Sequence, residues 1–163
     1  MALTPQQAST LKTFIQNDPT LSAQPLNSDG AYNIAQAINL EATPAYVVWR
    51  TNVVVDEVMR NGMDWTRVDN LSVGKARIWE WMTKPGTFNP SKANVRAGID
   101  ATWVGTAADL AVRTAVYGHC KRNASVVEKL FVTSGSGTDA TPGVMGYEGP
   151  IGYQDVEAAR NNG

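Results

Sequence analysis

The segment GKARIWEWMTKPG, at residues 74–86, carries two tryptophans separated by a single residue. On an α-helix, two positions correspond to about 200° around the axis, so Trp79 and Trp81 would point to opposite sides. On a β-strand the two rings would share one face. Ser72 can cap a helix that the closing Pro-Gly pair ends. The segment is therefore predicted to be helical.

A helical segment places the two tryptophans in different surroundings. The register with Ile78 and Met82 assigns Trp79 to the core, although Ile78, Trp81 and Met82 form an alternative apolar face. In either case at least one ring leaves the core, and an exposed tryptophan is typical of a partner surface. We expect one ring to anchor the core and the other to face a neighbouring subunit.

Helical patterns also precede this segment. Thr4 and Gln7 form a capping box at the start of LTPQQASTLKTFIQNDP, whose apolar residues recur at helical spacing. Asp29 is predicted to cap a second helix. Val47–Trp49 could begin a strand, and the following valines fit a helix capped by Asn52, although β-branched residues favour strands.

The patterns that follow residue 86 are also mainly helical. Ser91 is predicted to cap one helix. Before the tryptophan pair, by contrast, MDWTRVDNL is expected to be a loop or a short extended piece. Thr106 and Asp109 form a second capping box, which opens the longest helical pattern. Unbroken, that pattern would run roughly 35 Å, although a Gly and an Asn weaken its middle.

The composition changes after Val132. The sequence TSGSGTDATPGVMGYEGPIGY is rich in Gly, Ser, Thr and Pro and has no helical period. We expect a mainly α protein, with a helical, bundle-like domain over residues 1–132 and a Gly-rich extended arm over residues 133–163. The arm has room for one short β-hairpin. The alternative is that it folds back and covers its own helices.

Length and charge exclude several classes of protein. The chain has 163 residues, enough for one domain with a substantial core, and a formal net charge of -1. That balance gives no support for a basic nucleic-acid-binding stripe over the whole chain. No apolar run is long enough to span a bilayer, and the N-terminal residues lack a secretory pattern. A single cysteine excludes an intrachain disulfide. Together these features predict a protein made in the cytosol, with no membrane step of its own.

No catalytic, cofactor-binding or metal-binding site is predicted. The one histidine, His119, and the one cysteine, Cys120, are adjacent and would point about 100° apart on a helix, which suits neither a nucleophile–base pair nor a metal site. No P-loop, HExxH, GxSxG or paired CxxC occurs. Glu80 lies between the two tryptophans, where burial could raise the pKa of a carboxyl. We favour the interpretation that Glu80 is an ordinary solvent-exposed glutamate on a helix.

Aromatic and long apolar side chains are the candidates for binding a protein partner. Five tryptophans are generous for this length, and such residues dominate both cores and interfaces. The C-terminal segment adds apolar side chains between its glycines. The candidate interface residues are Trp49, Trp65, Trp79, Trp81, Met145, Tyr147, Ile151 and Tyr153.

Several segments resemble a family of virion structural proteins of tailed bacteriophages and prophages. They are VVWRT, DWTRVDNLSVGKARIWEWM, NPSKANVRAGIDATWVGTAADLAVR, HCKRNASVVEKLF, TSGSGTDATPG and YEGPIGYQDV, and LSVGKARIWEWM is the most specific. The likeness covers nearly the whole chain. It brings no catalytic residues to carry over.

The resemblance implies a place in the virion and a set of partners. It suggests a head–tail connector (adaptor) protein that forms a homo-oligomeric ring between portal and tail proteins, with non-specific contact to DNA in the channel and no membrane. One alternative is a tail-completion or tail-tube-associated virion protein. Another is a small virion-borne cell-wall hydrolase with Glu80 as its acid.

Overall fold

The computed structural model describes residues 3–161. Met1, Ala2, Asn162 and Gly163 lie outside the described residues, and with them the outer ends of the predicted ranges 1–132 and 133–163. The elements in chain order are α1 (Pro5–Asn17), α2 (Pro19–Ser22), α3 (Ser28–Ile38), β1 (Val47–Trp49), β2 (Val53–Val54), α4 (Val55–Arg60), α5 (Trp65–Asp69), α6 (Val73–Thr83), β3 (Thr87–Phe88), α7 (Ala93–Thr102), α8 (Ala107–His119), β4 (Lys121–Asn123), α9 (Val126–Leu130), β5 (Val132–Ser134), β6 (Val144–Met145) and α10 (Tyr153–Asn161).

The protein is mainly α-helical, with short strand pairs β1–β4, β2–β3 and β5–β6. The chain divides into two compact units at positions that differ from the predicted boundary at residue 132. Residues 1–47 and 123–163 form one unit, which we call the discontinuous unit. Residues 48–122 form the other, which we call the inserted unit.

The discontinuous unit is built on helices α1, α3 and α10. Helix α10 packs against both α1 and α3. Helix α3 presents small and branched residues to this core, since Ala31, Ile34, Ala35 and Ile38 recur at helical spacing and are buried. The core cluster consists of Leu11, Ile15, Leu21, Ala31, Ile34, Ala35, Ile38, Val127, Phe131, Tyr147, Ile151, Val156 and Ala159.

The predicted extended arm is not confirmed. In the C-terminal segment, by which we mean residues 133–161, the side chains of Tyr147, Ile151 and Val156 are buried in the core of the discontinuous unit. The Asn39 side chain ties the segment down, because it donates to the Ile151 carbonyl at 3.0 Å and accepts from the Ile151 backbone N–H at 2.9 Å. The short hairpin is present as the antiparallel pair β5–β6. This arrangement is the alternative in which the segment covers its own helices.

The glycines of the C-terminal segment serve close packing. Gly137 is buried and has a φ of 76°, a region that disfavours side chains, and a Cβ there would overlap the Tyr46 ring. At Gly143 an added Cβ would lie 2.8 Å from Cε1 of the same ring. A glycine-rich composition therefore accompanies a tightly packed loop in this protein.

The inserted unit has a core of its own. Val53 and Val54 do not begin a helix as predicted. They pair with Phe88 and Thr87 in the β2–β3 ladder, and helix α4 begins at Val55 without a side-chain cap. The predicted cap at Asn52 is therefore wrong. The buried apolar residues of the unit are Val48, Trp49, Val53, Val58, Trp79, Phe88, Ile99, Trp103, Val112, Val116 and Cys120.

Local capping signals were read correctly at three helices. The capping box of Thr4 and Gln7 is present, as is that of Thr106 and Asp109, and the Ser72 hydroxyl accepts from the Lys75 backbone N–H. In a capping box each of the two side chains accepts a backbone N–H that the first turn leaves unpaired. These signals depend on residues three positions apart, so tertiary packing does not obscure them.

Two helix starts differ from the predicted ones by one or two residues, and one helix was not predicted. Asn27, and not Asp29, caps α3 and accepts from the Gly30 backbone N–H at 2.9 Å. Lys92 stands at the N-cap position of α7, where Ser91 was predicted. The segment expected to be extended contains α5, because the Asp64 side chain accepts from two backbone N–H groups of its first turn.

The long helical pattern over residues 106–131 is broken in the structure. Helix α8 ends at His119, strand β4 follows, and α9 starts at a third capping box formed by Ser125 and Glu128. Apolar spacing continues across the break because Cys120 and Val127 are both buried, although they belong to different cores. Periodicity alone therefore could not locate the end of α8.

Over residues 3–161 no helix has both the length and the apolar character that a bilayer crossing demands. The same residues contain no group of three or more His, Cys, Asp or Glu side chains placed to hold a metal ion.

Candidate protein interface

Helix α6 separates the two tryptophans as helical geometry requires. Trp79 is 6% exposed, and its ring packs edge-on against Trp103, with centroids 5.2 Å apart at an interplanar angle of 77°. Trp81 is 75% exposed. The assignment of Trp79 to the core is therefore confirmed, and the neighbouring subunit that Trp81 was predicted to face stays a prediction.

Trp81 belongs to a larger exposed apolar surface. Val73, Arg77 and Trp81 follow one another at intervals of four residues and so lie on one side of α6, with Ile78 beside them. Val73 is 75% exposed, and Lys84 follows the helix end. Residues 3–161 provide no ion-pair or hydrogen-bond partner for the side chains of Arg77 and Lys84. We call Val73, Arg77, Ile78, Trp81 and Lys84 the α6 outer face.

Trp49 is a core residue and offers little surface to a partner. Its ring lies 5.5 Å from that of Tyr117, and the Arg96 guanidinium and the Lys121 ammonium lie 5.0 and 5.6 Å from its centroid. Cation–π contacts of this kind use two of the basic side chains inside the inserted unit. The Tyr117 hydroxyl donates to the Asp100 carboxylate at 2.9 Å. Burial raises the pKa of Tyr117.

The remaining interface candidates differ in exposure. Trp65, on the short helix α5, is 57% exposed, and Tyr153 at the start of α10 is also exposed. Met145 is half-buried. Tyr147 and Ile151 are buried, so the folded subunit cannot present them to a partner as the sequence suggested. Their burial follows from packing against helices far away in sequence, which no local pattern announces.

His119 is hydrogen-bonded to neighbouring residues of the inserted unit, and Cys120 is buried. His119 Nε2 lies 2.8 Å from the Asn61 carbonyl, and Nδ1 lies 3.2 Å from Glu57 Oε1. Arg50 also binds Glu57, at 2.8 Å, and this hydrogen bond holds the pKa of Glu57 below its usual value. Burial raises the pKa of the Cys120 thiol to about 12, so it stays protonated at neutral pH.

The two units carry charge of opposite sign. Residues 48–122 contain eleven Lys or Arg and seven Asp or Glu, a formal charge of +4 with His119 neutral. The rest of the chain contains three Lys or Arg and eight Asp or Glu, a formal charge of -5. The near-zero charge of the whole chain hid this asymmetry, which emerges only when the unit boundaries are known.

Sequence reasoning missed a second exposed surface, on α3. Tyr32 is 54% exposed and Leu40, just beyond the helix, is 66% exposed. Asp29 and Gln36 are exposed on the same side. The signal was present, because these four positions lie opposite the buried isoleucines at helical spacing. We call Asp29, Tyr32, Gln36 and Leu40 the α3 outer face.

Comparisons of this chain with protein-family models, with curated proteins and with solved structures find no match. The surfaces and charges described above are therefore the structural basis for a functional inference.

Proposed function

We propose that this protein is a non-enzymatic structural component of a tailed-phage virion, a head–tail connector whose copies form a ring between portal and tail. The resemblance of its sequence segments to phage virion proteins supports this class of protein. The observation that carries the proposal is the exposure of Trp81 within the apolar and cationic α6 outer face.

An exposed tryptophan beside further apolar residues calls for a covering partner. Burial of apolar surface contributes about 25 cal/mol per Å², and tryptophan is among the residues that dominate binding energy in protein interfaces. On α6 the stability of the subunit does not require this ring, because Trp79 already fills the core position. If Trp81 contributes to assembly, both tryptophans of α6 have a role: Trp79 packs in the core and Trp81 binds a partner.

Ring assembly agrees with the distribution of charge. Subunits of a ring meet through two different surfaces, and complementary charges favour the correct pairing of those surfaces. The inserted unit is basic and the discontinuous unit is acidic. In this proposal the protein is made in the host cytoplasm, binds portal and tail proteins, and lines a channel through which DNA passes.

The finer expectation of an arm that becomes ordered against a neighbouring subunit does not enter the proposal. The apolar side chains that such an arm would use are already buried, as Tyr147 and Ile151 illustrate. The exposed Tyr153 lies on α10, which is packed on α1 and α3. Contacts between subunits are assigned instead to helix faces.

Deletion of the gene from the phage or prophage tests the proposal. We expect DNA-filled heads without tails, together with free, complete tails, in electron micrographs of the lysate. Mass spectrometry of wild-type particles should contain the protein in several copies. Normal particles from the deletion strain would contradict the proposal, and complete heads with defective tails would favour the tail-completion alternative.

Complementation of the deletion by point variants identifies the surface. Trp81→Ala should restore far fewer infectious particles than the wild-type gene. The control is Leu110→Ala, since Leu110 is an exposed apolar residue that belongs to a different helix, α8. Equal restoration by both variants would contradict the role given to Trp81.

A further inference from the structure

We infer that the α6 outer face of one copy binds the α3 outer face of a second copy of this chain, forming the contact that repeats around an oligomer. The inference rests on the proposed function in taking the partner to be the chain itself. It is carried by two exposed helix faces whose apolar spacing and charge are complementary.

The apolar residues of the two faces have the same spacing. Val73 and Trp81 are eight residues apart, and Tyr32 and Leu40 are also eight residues apart. At 1.5 Å per residue, Val73 and Trp81 are about 12 Å apart along α6, whereas Leu40 lies two residues beyond the last residue of α3, Ile38. An antiparallel alignment of α6 and α3 therefore places Trp81 beside Tyr32 and Val73 beside Leu40.

The same alignment pairs the polar residues favourably. The same register brings Lys84 opposite Asp29, outside the apolar pairs, and Arg77 opposite Gln36, between them. Neither Arg77 nor Lys84 has an ion-pair partner within residues 3–161, and the structure records none there for Asp29. In the parallel alignment that pairs Val73 with Tyr32 and Trp81 with Leu40, Asp29 would lie opposite Asn70 and Lys84 would lie beyond Leu40, so the two charges would not meet.

The charge of the whole units favours the same partner. A surface on the basic inserted unit would be attracted to one on the acidic discontinuous unit of another copy, and this attraction speeds encounter and suppresses wrong pairings. Double-stranded DNA would also attract Arg77 and Lys84, but contacts with its phosphate backbone would not bury the apolar side chains of Val73 and Trp81. The apolar content of the face therefore favours a protein.

The contact is expected to be weak for a single pair of copies. One helix packed on one helix buries less than the roughly 1,600 Å² of a standard interface. We expect dissociation constants on the order of 10–1,000 μM in low salt, weakening as salt screens the ion pair. Closure of a ring then multiplies such contacts around the assembly.

Two complementary variants test the inference with the full-length protein. The α6 variant carries Trp81→Ala and Lys84→Ala, and the α3 variant carries Asp29→Ala and Tyr32→Ala. All four side chains are exposed, so both variants should fold, which circular dichroism checks. Each variant keeps one intact face, and neither can form a chain of contacts with itself.

Sedimentation velocity up to 1 mM protein provides the readout. Wild type and the control Leu110→Ala, which removes an exposed apolar side chain outside both faces, should form dimers and longer oligomers, whereas each variant alone should associate at least tenfold more weakly. Mixed together, the two variants should form a 1:1 dimer with wild-type affinity and nothing longer. Monomeric wild type, a monomeric mixture, or a single variant that associates like wild type would overturn the inference.

The two proposals can fail separately. If the mixture dimerises as expected but phages carrying the α6 variant are normal, the docking contact stands and the virion role is wrong. If deletion gives tailless heads but the mixture stays monomeric, the virion role stands and this contact is wrong. Binding of a double-stranded DNA oligomer that is lost in the α6 variant, without self-association of wild type, would also overturn the contact.

Discussion

Helix α6 and the C-terminal segment look alike as sequences but differ in what they bury. In both, aromatic residues stand among residues typical of exposed segments. These are charged residues in α6 and glycines in the C-terminal segment. In α6 the outer face leaves Trp81 exposed, whereas the C-terminal segment buries Tyr147 and Ile151 in the discontinuous unit. The segment predicted to be a helix supplies the candidate interface, and the segment predicted to be an extended arm supplies core residues.

The difference shows which feature of a sequence reports exposure. Helical geometry fixes the relation between Trp79 and Trp81 wherever the helix packs, so one ring was bound to leave the core. Glycine content carries no such constraint. A high glycine content indicates a flexible unfolded chain and does not say whether the folded segment is exposed. In this segment Gly137 adopts a positive φ and packs directly against the Tyr46 ring.

Removal of the C-terminal segment should have the largest effect. A chain ending at Val132 lacks four buried residues of the core, Tyr147, Ile151, Val156 and Ala159. Loss of each large buried side chain costs about 2–5 kcal/mol, so the total exceeds the stability of most small domains. Hydrogen exchange followed by mass spectrometry should show α1 and α3 unprotected.

The matched control for the truncation is Tyr153→Ala, which removes an exposed ring from the same segment. This variant should keep the protection of α1 and α3. If the truncated chain also kept that protection, the segment would be an arm after all, and the comparison with α6 would lose its basis.

The two tryptophans of α6 should differ strongly in their effect on stability. Trp79→Ala removes a buried ring and its contact with Trp103, and should lower the free energy of unfolding by about 3–5 kcal/mol. Trp81→Ala should change it by less than about 0.5 kcal/mol, since the ring is exposed. Urea unfolding monitored by circular dichroism measures both.

Tryptophan fluorescence adds a second readout for this pair. All five tryptophans lie within residues 48–122, so fluorescence reports on the inserted unit. Equal destabilisation by Trp79→Ala and Trp81→Ala would mean that both rings support the fold. The division of α6 into a core face and an outer face would then be wrong.

Lowering the pH is expected to have a smaller effect on the stability of the fold. The hydrogen bond from Arg50 lowers the pKa of Glu57 in the folded protein below its ordinary value of 4.5. The stability that Glu57 contributes is therefore complete above about pH 4.5 and is lost as the pH falls through the lower, folded-state pKa. Because the side chain is 38% exposed, solvent screening keeps this contribution near 1 kcal/mol or less.

The variant Glu57→Gln should lower stability at pH 7 and flatten the acid side of the pH profile. Glu80→Gln is the control, because this variant removes the same charge from an exposed position on α6. Equal profiles for the two variants would show that the bond between Arg50 and Glu57 contributes nothing to folding. The control also tests the hydrolase alternative, in which loss of Glu80 would abolish peptidoglycan cleavage.

Sequence reasoning succeeded where neighbours along the chain determine the outcome. The caps at Thr4, Ser72 and Thr106 and the separation of Trp79 from Trp81 all depend on residues within one or two helical turns. It failed where distant residues decide. The break after α8, the burial of Tyr147 and the division into two units arise from contacts between segments far apart, for which the sequence has no periodic signal.

The candidate surface was only half predictable for the same reason. Trp81 follows from the geometry of one helix. The α3 outer face could have been found from the positions opposite Ile34, but nothing in the sequence drew attention to Tyr32 or Leu40. The opposite charges of the two units could not be recognised before their boundaries at residues 47 and 122 were known.

Electron cryomicroscopy of the neck of the intact particle tests the central claim most directly. The account predicts that this chain forms a closed ring between portal and tail, with Trp81 of each copy covered by a neighbouring protein. Density in which the ring of Trp81 stays open to solvent, or a neck that lacks this chain altogether, would contradict it.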